Sequence, residues 1–233
     1  PELERYILHR MTEIDAKLRA AVESYDWTGV YPDIHNFCAT DLSAFYFDIR
    51  KDAVYCDGAG SLRRRAARTV LDHLHRCLCA WLAPVLCFTA EEAWTARFGE
   101  SDSVHLHLFP SLPLDWRDDA VAAKWDEIRT IRRKITTAIE NERAEGKIKS
   151  SLQAAVGVPL MAGEEGLLNA DEWAEVAIVS QVDLDPSVGR PFVQVTLANG
   201  QKCDRCWRVL PEVGTSKAHP TLCLRCTSVV EAT

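Results

Sequence analysis

Cys203-Asp204-Arg205-Cys206 and Cys223-Leu224-Arg225-Cys226 are two Cys-x-x-Cys pairs with sixteen residues between them. Two thiolates three residues apart on a tight turn bind one metal ion from the same side. A second such turn completes a tetrahedral four-sulfur shell. Zn²⁺ favours that shell, and the spacing is that of a zinc ribbon. Two disulfides or idle thiols are the alternative reading. A four-cysteine shell is coordinatively closed, with no open position for water or substrate. The single Zn²⁺ expected here is therefore structural, and it stabilises a segment too small to build its own apolar core.

The remaining cysteines, Cys38, Cys56, Cys77, Cys79 and Cys87, sit among apolar or helical residues without ligand spacing. They read as small buried hydrophobes. A total of nine is odd, which argues against a secreted disulfide framework and fits a reducing cytoplasm. No signal peptide is read, and no apolar run is long enough to span a bilayer, so no membrane partner is expected. His105 and His107 alternate with Val104, Leu106 and Leu108. That alternation reads as a short strand and not as a metal site, which needs several convergent ligands.

A length of 233 residues accommodates one large or two small domains plus the ribbon. A hydrophobic content of 47% is that of a folded globular protein, and the net charge of -7 argues against a general nucleic-acid coat protein. Local basic patches remain. Arg63, Arg64, Arg65, Arg68 and Arg76 share their segment with Asp72 alone. Arg129, Arg132, Arg133, Lys134, Arg143, Lys147 and Lys149 outnumber Glu140, Glu142 and Glu145. Such patches suit phosphate contacts, and equally suit solvated helix faces.

Three regions follow from the periodicity. Residues 1–112 read as helical. Leu3, Ile7, Ile14, Leu18, Ala21 and Tyr25 form one stripe. Ile34, Phe37, Leu42, Phe45 and Ile49 form a second, and Leu62, Ala66, Val70, Leu74, Leu78 and Trp81 a third. Thr89-Ala90-Glu91-Glu92 reads as a capping box. Short joins between such helices predict a bundle. Residues 113–199 read as a long helix, Asp119 to about Lys147 with Gly146 as its stop, then a small α+β unit. Its strands are expected over Leu152–Leu160, Val176–Leu184 and Pro191–Leu197. A short helix is expected over Leu167–Trp173, with Asn169 and Asp171 as competing caps, and turns at Asp185-Pro186-Ser187 and Gly189-Arg190-Pro191. Residues 200–233 are the ribbon. The class is mainly α.

No Gly-rich phosphate loop, Gly-x-Ser-x-Gly or His-Glu-x-x-His occurs, and no carboxylate pair is singled out by pattern. Catalytic residues are therefore not assigned.

Several strings resemble one family. Asp41-Leu42-Ser43-Ala44-Phe45-Tyr46-Phe47-Asp48-Ile49-Arg50-Lys51-Asp52 resembles the anticodon-binding bundle of bacterial isoleucyl-tRNA synthetases. Leu82-Ala83-Pro84-Val85-Leu86-Cys87-Phe88-Thr89-Ala90-Glu91-Glu92-Ala93-Trp94 is similar to a string shared by the class I synthetases for isoleucine, valine, leucine and methionine. Ser103-Val104-His105-Leu106, Phe109-Pro110 and Lys147-Ile148-Lys149-Ser150-Ser151-Leu152 fit the isoleucine branch. Lys202-Cys203-Asp204-Arg205-Cys206-Trp207 and Cys223-Leu224-Arg225-Cys226 resemble the start and end of its terminal zinc finger. The resemblance covers nearly the whole chain.

It implies a C-terminal fragment of a class I ligase: anticodon-binding bundle, α+β junction unit and four-cysteine zinc ribbon. The family's His-Ile-Gly-His and Lys-Met-Ser-Lys-Ser motifs do not occur, and Lys147-Ile148-Lys149-Ser150-Ser151 only superficially resembles the second. ATP and Mg²⁺ would belong to the parent enzyme, whose catalytic and editing domains are the missing partners. The fragment is expected to be a cytoplasmic monomer that neither activates isoleucine nor edits. Its expected partner is the anticodon arm of isoleucine tRNA. By the same resemblance Arg205, Trp207 and Arg208 on the first knuckle are the leading RNA contacts, with Arg225, Lys217 and His219 behind them. Arg50 and Lys51 follow in the bundle, and Lys147 and Lys149 at the junction. Trp207 either stacks on an unpaired base or packs as the ribbon's core. Arg50 and Lys51 either meet RNA or pair with Asp48 or Asp52.

Two rivals stand beside this reading. Pro1-Glu2-Leu3 resembles the start of formamidopyrimidine-DNA glycosylases, which use the proline amine as nucleophile and end in a similar ribbon. Those enzymes begin with a β-rich domain, whereas a long helical stripe opens this chain. A zinc-stabilised protein-interaction module is the third reading.

Overall fold

The computed structural model of the chain describes residues 1–184 and 192–232, so the turns expected at Asp185-Pro186-Ser187 and Gly189-Arg190-Pro191 lie outside the described residues. The architecture is mainly α, and the chain divides into two compact units. The first comprises Pro1–Asp48 and Ala59–Ala122. The second comprises Ile49–Gly58 and the chain from Ala123 onward. A segment from within the first helical region thus belongs with the ribbon.

In the first unit, α1 (Glu2–Ser24) forms where the stripe predicts it. Leu3, Ile7, Ile14, Leu18 and Ala21 are buried, joined by Tyr6 and Met11. Full burial of such side chains contributes about 2 kcal/mol each. Tyr25 is not part of the stripe. It ends the helix in the left-handed region at φ 56°, and its ring is 85% exposed. The next stretch runs through α2 (Val30–Asn36) into a π-helical segment, Phe37–Phe47, and on into α3 (Asp48–Cys56). Long π-helical runs are rare. This one buries Phe37, Leu42, Phe45 and Tyr46 together with Asp41, whose charge is met by Arg10 at 3.2 Å. The Tyr46 hydroxyl donates to buried Glu4 at 3.3 Å.

Ser61 caps α4 (Leu62–Leu82) by accepting from the Arg64 amide. The buried face of α4 is Ala67, Val70, Leu74, Cys77 and Trp81. Leu62 is exposed and Leu78 only half-buried, so the predicted stripe is rotated by about one residue. Helix α5 (Cys87–Phe98) starts two residues before Thr89, after Leu86, without a side-chain cap. The expected capping box does not form. Glu92's neighbour Glu91 accepts the Val104 amide at 2.9 Å and the Ser103 hydroxyl at 3.0 Å. Val104–Leu106 is a 3₁₀ turn rather than a strand. It inserts Val104 into a cluster of Cys79, Ala80, Ala83, Ala90 and Trp94. Buried His9 ties α1 to the start of α6 (Asp119–Ala144): its Nδ1 accepts the Asp118 amide at 2.9 Å. Asp118 in turn accepts the Val121 amide at 3.0 Å, in the manner of an N-cap. Cys77 and Cys79 are buried as expected, whereas Cys38 is half-buried and Cys87 exposed.

The second unit is built on the rest of α6, whose Trp125, Ile128, Ile131, Ile135 and Ile139 are buried. Gly146 ends it at φ 76°. The Lys147 amide donates to the Glu142 carbonyl and the Gly146 amide to the Arg143 carbonyl, both at 3.0 Å, which is a Schellman motif. Strand β1 (Ala154–Gly157) lies centrally, parallel to β2 (Gln181–Asp183) and antiparallel to β3 (Gln194–Leu197). Between β1 and β2 runs α7 (Ala170–Ala177). Asn169 wins the cap position by a reciprocal box with Glu172. Val176, expected in a strand, is on this helix, so β2 is shorter than predicted. Val156, Val158, Trp173, Val176 and Val179 are buried residues of this small α+β part.

Candidate nucleic-acid interface

The ribbon opens with the two-stranded pair β4 (Gln201–Lys202) and β5 (Val209–Leu210). Gly200 is obligatory before it. Its φ is +119°, and an added Cβ would lie 2.2 Å from the Leu210 carbonyl carbon. The first knuckle, Cys203–Cys206, hangs between these strands. The Cys203 amide donates to the Arg208 carbonyl and the Trp207 amide to the Cys203 carbonyl, both at 2.9 Å. The second knuckle leads into α8 (Leu224–Glu231), and the Cys223 amide donates to Cys203 Sγ at 3.3 Å.

All four cysteines are buried, and their sulfurs lie within 4.8 Å of one another. Cys206 and Cys223 Sγ are 3.8 Å apart. A tetrahedron with Zn–S bonds of ~2.3 Å has S···S edges of ~3.8 Å, so the donor set fits one zinc ion. The electrostatics agree. Hydrogen bonding from Cys226 draws the Cys206 thiol down against the opposing effect of burial. That same bond, then burial, pushes Cys226 up. Sulfurs this close cannot all ionise against one another; a divalent cation is what lets four thiolates share the cup. The zinc is structural, because four protein sulfurs close its coordination.

Trp207 follows the first knuckle directly. Its φ is 66°, a conformation that costs an L-residue with a bulky side chain. Its ring is 59% exposed, so it does not serve as the ribbon's core. Buried Val213, with Leu210 and Leu222 partly buried, packs against the cysteines instead, and Cys56 from α3 joins them. Burial raises the Cys56 thiol to about 11, which keeps it a neutral packing group. The Lys202 ammonium sits 5.3 Å from the Trp207 ring centroid, a cation–π contact on an exposed aromatic face.

Four of the arginines expected to meet RNA are turned inward. Arg50 is 5% exposed, and its Nη1 pairs with Glu175 at 2.5 Å. A guanidinium so placed holds α3 to α7. Arg205 donates to the Cys56 carbonyl and, at 3.3 Å, to the Tyr55 carbonyl. Arg208 donates to the Ser180 carbonyl at 2.7 Å. Arg225 engages both oxygens of Asp52, at 2.5 and 2.7 Å, and Asp57 at 3.2 Å. The bond to Asp52 holds the Arg225 guanidinium in its charged form, against burial.

The lysines are exposed: Lys51, Lys147, Lys149 and Lys217 all face solvent, and His219 is half-buried. Lys147 pairs with Glu145 at 2.7 Å and Glu142 at 3.0 Å, and these bonds raise its pKa. Sequence reasoning missed Ser180. Its hydroxyl donates to the Leu152 carbonyl at 2.6 Å and accepts the Val209 amide at 2.7 Å, tying the residues just before β1 and β2 to β5 of the ribbon. A lone buried serine between a helix and a strand carries no motif that would reveal this.

No helix among the described residues is long and apolar enough to cross a membrane. The chain matches the family model described as "Anticodon-binding domain of tRNA ligase" over residues 4–158. It matches "Zinc finger found in FPG and IleRS" over residues 200–229. Among curated proteins it is similar to the isoleucine–tRNA ligase of Gluconobacter oxydans, at 55% identity over 237 residues covering 100% of this chain and 24% of the relative. Those of Agrobacterium fabrum and Caulobacter vibrioides are 41% and 43% identical, each over 97% of this chain and 24% of the relative. The chain thus spans about a quarter of the length of these curated relatives.

Proposed function

Because the chain belongs to the anticodon-binding domain family of tRNA ligases, we propose that it is the tRNA-holding C-terminal part of a bacterial isoleucine–tRNA ligase and grips the anticodon arm of isoleucine tRNA. The parent enzyme joins isoleucine to its tRNA with ATP and Mg²⁺; this part supplies no catalytic residue. Its working parts are the bundle over 1–112, the junction over 113–199 and the ribbon over 200–233. A cytoplasmic monomer suits the role.

The observation that carries the reading is Trp207, a half-exposed indole held at positive φ beside a metal-fixed knuckle. Anticodon bases are single-stranded and splay out to stack on such rings, while exposed lysines meet the backbone. Lys51, Lys147, Lys149 and Lys202 are exposed cations of the same unit that suit those backbone contacts. The glycosylase alternative is not favoured. It needs the Pro1 amine at the head of a β-rich domain, and Pro1 here precedes a 23-residue helix. The zinc-finger match is common to both families by its own description and does not discriminate.

Filter binding of isoleucine tRNA, an unrelated tRNA and duplex DNA over a salt series tests the proposal. Preference for isoleucine tRNA, with log K falling against log salt, is expected. Equal affinity for all three overturns it. Borohydride trapping on abasic DNA would restore the glycosylase, and no tRNA affinity at all would favour a protein-interaction module.

A further inference from the structure

The two knuckles carry the same internal pattern, Cys-x-Arg-Cys, and both arginines reach one target. Arg205 donates to the carbonyls of Tyr55 and Cys56, at the end of α3. Carbonyls of a last helical turn have no intrahelical partner, and a cation there also opposes the negative end of the helix dipole. Arg225 grips Asp52 through both terminal guanidinium nitrogens, one turn earlier on the same helix, and reaches Asp57 just beyond it. Bidentate arginine–carboxylate pairing fixes orientation as well as distance. Cys56 completes the arrangement. Its thiol faces the Arg205 carbonyl at 3.5 Å, and its side chain packs with the four zinc-site cysteines and Val213.

We propose that Arg205 and Arg225 are positioning residues, the two jaws of a clasp by which the zinc knuckles hold the C-terminal turn of α3. Each arginine backbone is fixed by the cysteine that follows it, and each side chain is fixed by α3. Trp207, two residues past Arg205, and Lys51, next to Asp52, are thereby held in one frame. A phosphate would have to displace a bidentate carboxylate to reach Arg225, so neither arginine contacts RNA. This deepens the tRNA-holding role above and rests on it for the RNA consequence alone.

Hydrogen exchange by mass spectrometry, on the RNA-free and zinc-replete protein, reads the clasp directly. In Arg205→Gln, Arg225→Gln and Asp52→Asn, amide exchange over residues 49–58 is expected to accelerate at least about tenfold with zinc content unchanged. Asp52→Asn opens the clasp from the helix side, so it decides the matter should a ribbon variant lose its metal. Arg225→Lys, with a point charge in place of the fork, should fall between wild type and Arg225→Gln. Unchanged exchange in metal-replete Arg225→Gln and Asp52→Asn overturns the proposal. With isoleucine tRNA, the Gln variants should bind more weakly with the salt slope preserved. A slope reduced by about 0.9 per arginine would mean direct phosphate contact and would also overturn it. If the wild-type protein binds no tRNA, the tRNA-holding role fails while the exchange result still decides the clasp.

Discussion

Trp207→Ala separates an RNA-stacking residue from a packing residue by magnitude. About two-fifths of the residue is out of solvent. For a tryptophan this corresponds to roughly 100 Å², or about 2 kcal/mol of burial lost on truncation. Loss of the Lys202 contact adds about 0.5 kcal/mol. Replacing the indole by a methyl eases crowding at φ 66° but keeps a Cβ in the left-handed region, so little of the backbone cost of about 1–2 kcal/mol is recovered. The net loss of about 2 kcal/mol is far below what a structural zinc site contributes, roughly 10–16 kcal/mol of apparent binding energy. The ribbon should therefore stay folded and metal-loaded. Loss of one base–aromatic stack costs about 1–3 kcal/mol, or roughly 5- to 160-fold in Kd. Fluorescence anisotropy with a labelled anticodon stem-loop of isoleucine tRNA measures that factor, and atomic absorption confirms the zinc. Trp207→Tyr keeps a stacking ring and should recover most of the affinity. An unchanged Kd in metal-replete Trp207→Ala would refute the stacking role.

Other expectations follow from the same contacts. Cys203→Ser should lower zinc stoichiometry and abolish exchange protection over the ribbon; a full metal complement by atomic absorption would contradict the four-thiolate site. Arg50→Ala removes one partner of a buried pair with Glu175 and should cost about 3 kcal/mol in urea unfolding. Exposed Lys51→Ala should cost about 1 kcal/mol or less. Asp118 has its carboxyl held below the ordinary 3.8, first by the Val121 amide bond and, against burial, also by Arg5. A depressed folded-state value means stability that is present above 3.8 and lost as pH falls through the folded value. Melting followed between pH 5 and pH 2 should show a shallower acid-side decline in Asp118→Asn, which keeps a capping oxygen but has no charge to lose. An identical slope in both proteins would show that Asp118 does not link folding to pH.

The helices were legible because burial on one face imposes a 3.6-residue period. Leu3, Ile7, Ile14 and Leu18 obey it over the full length of α1. Gly146, and Asn169 as one of two competing caps, were legible because helix ends need particular chemistry, a left-handed residue at one end and a side-chain acceptor at the other. Local rules failed where the tertiary structure set the element ends. Helix α5 begins at Cys87, which puts Thr89 inside the helix and leaves no cap for Glu92 to complete. Val176 is drawn into α7 despite its β-branched neighbours. The π-helical turns of Phe37–Phe47, which bury Asp41 beside Phe37, Leu42, Phe45 and Tyr46, carry the same apolar spacing that an α-helix would, so the sequence pattern does not separate the two.

The zinc site was readable from spacing alone, because metal–sulfur geometry fixes how far apart two ligands on one turn can stand. The arginines beside it were not. A guanidinium is long enough to point outward or inward, and the carboxylates and carbonyls that hold Arg205 and Arg225 lie about 150 and 173 positions away in the chain. Sequence dictated which residues could bind metal, form helices and stack on a base. Folding decided which charges were spent holding the frame together and which, like Lys149, were left facing solvent.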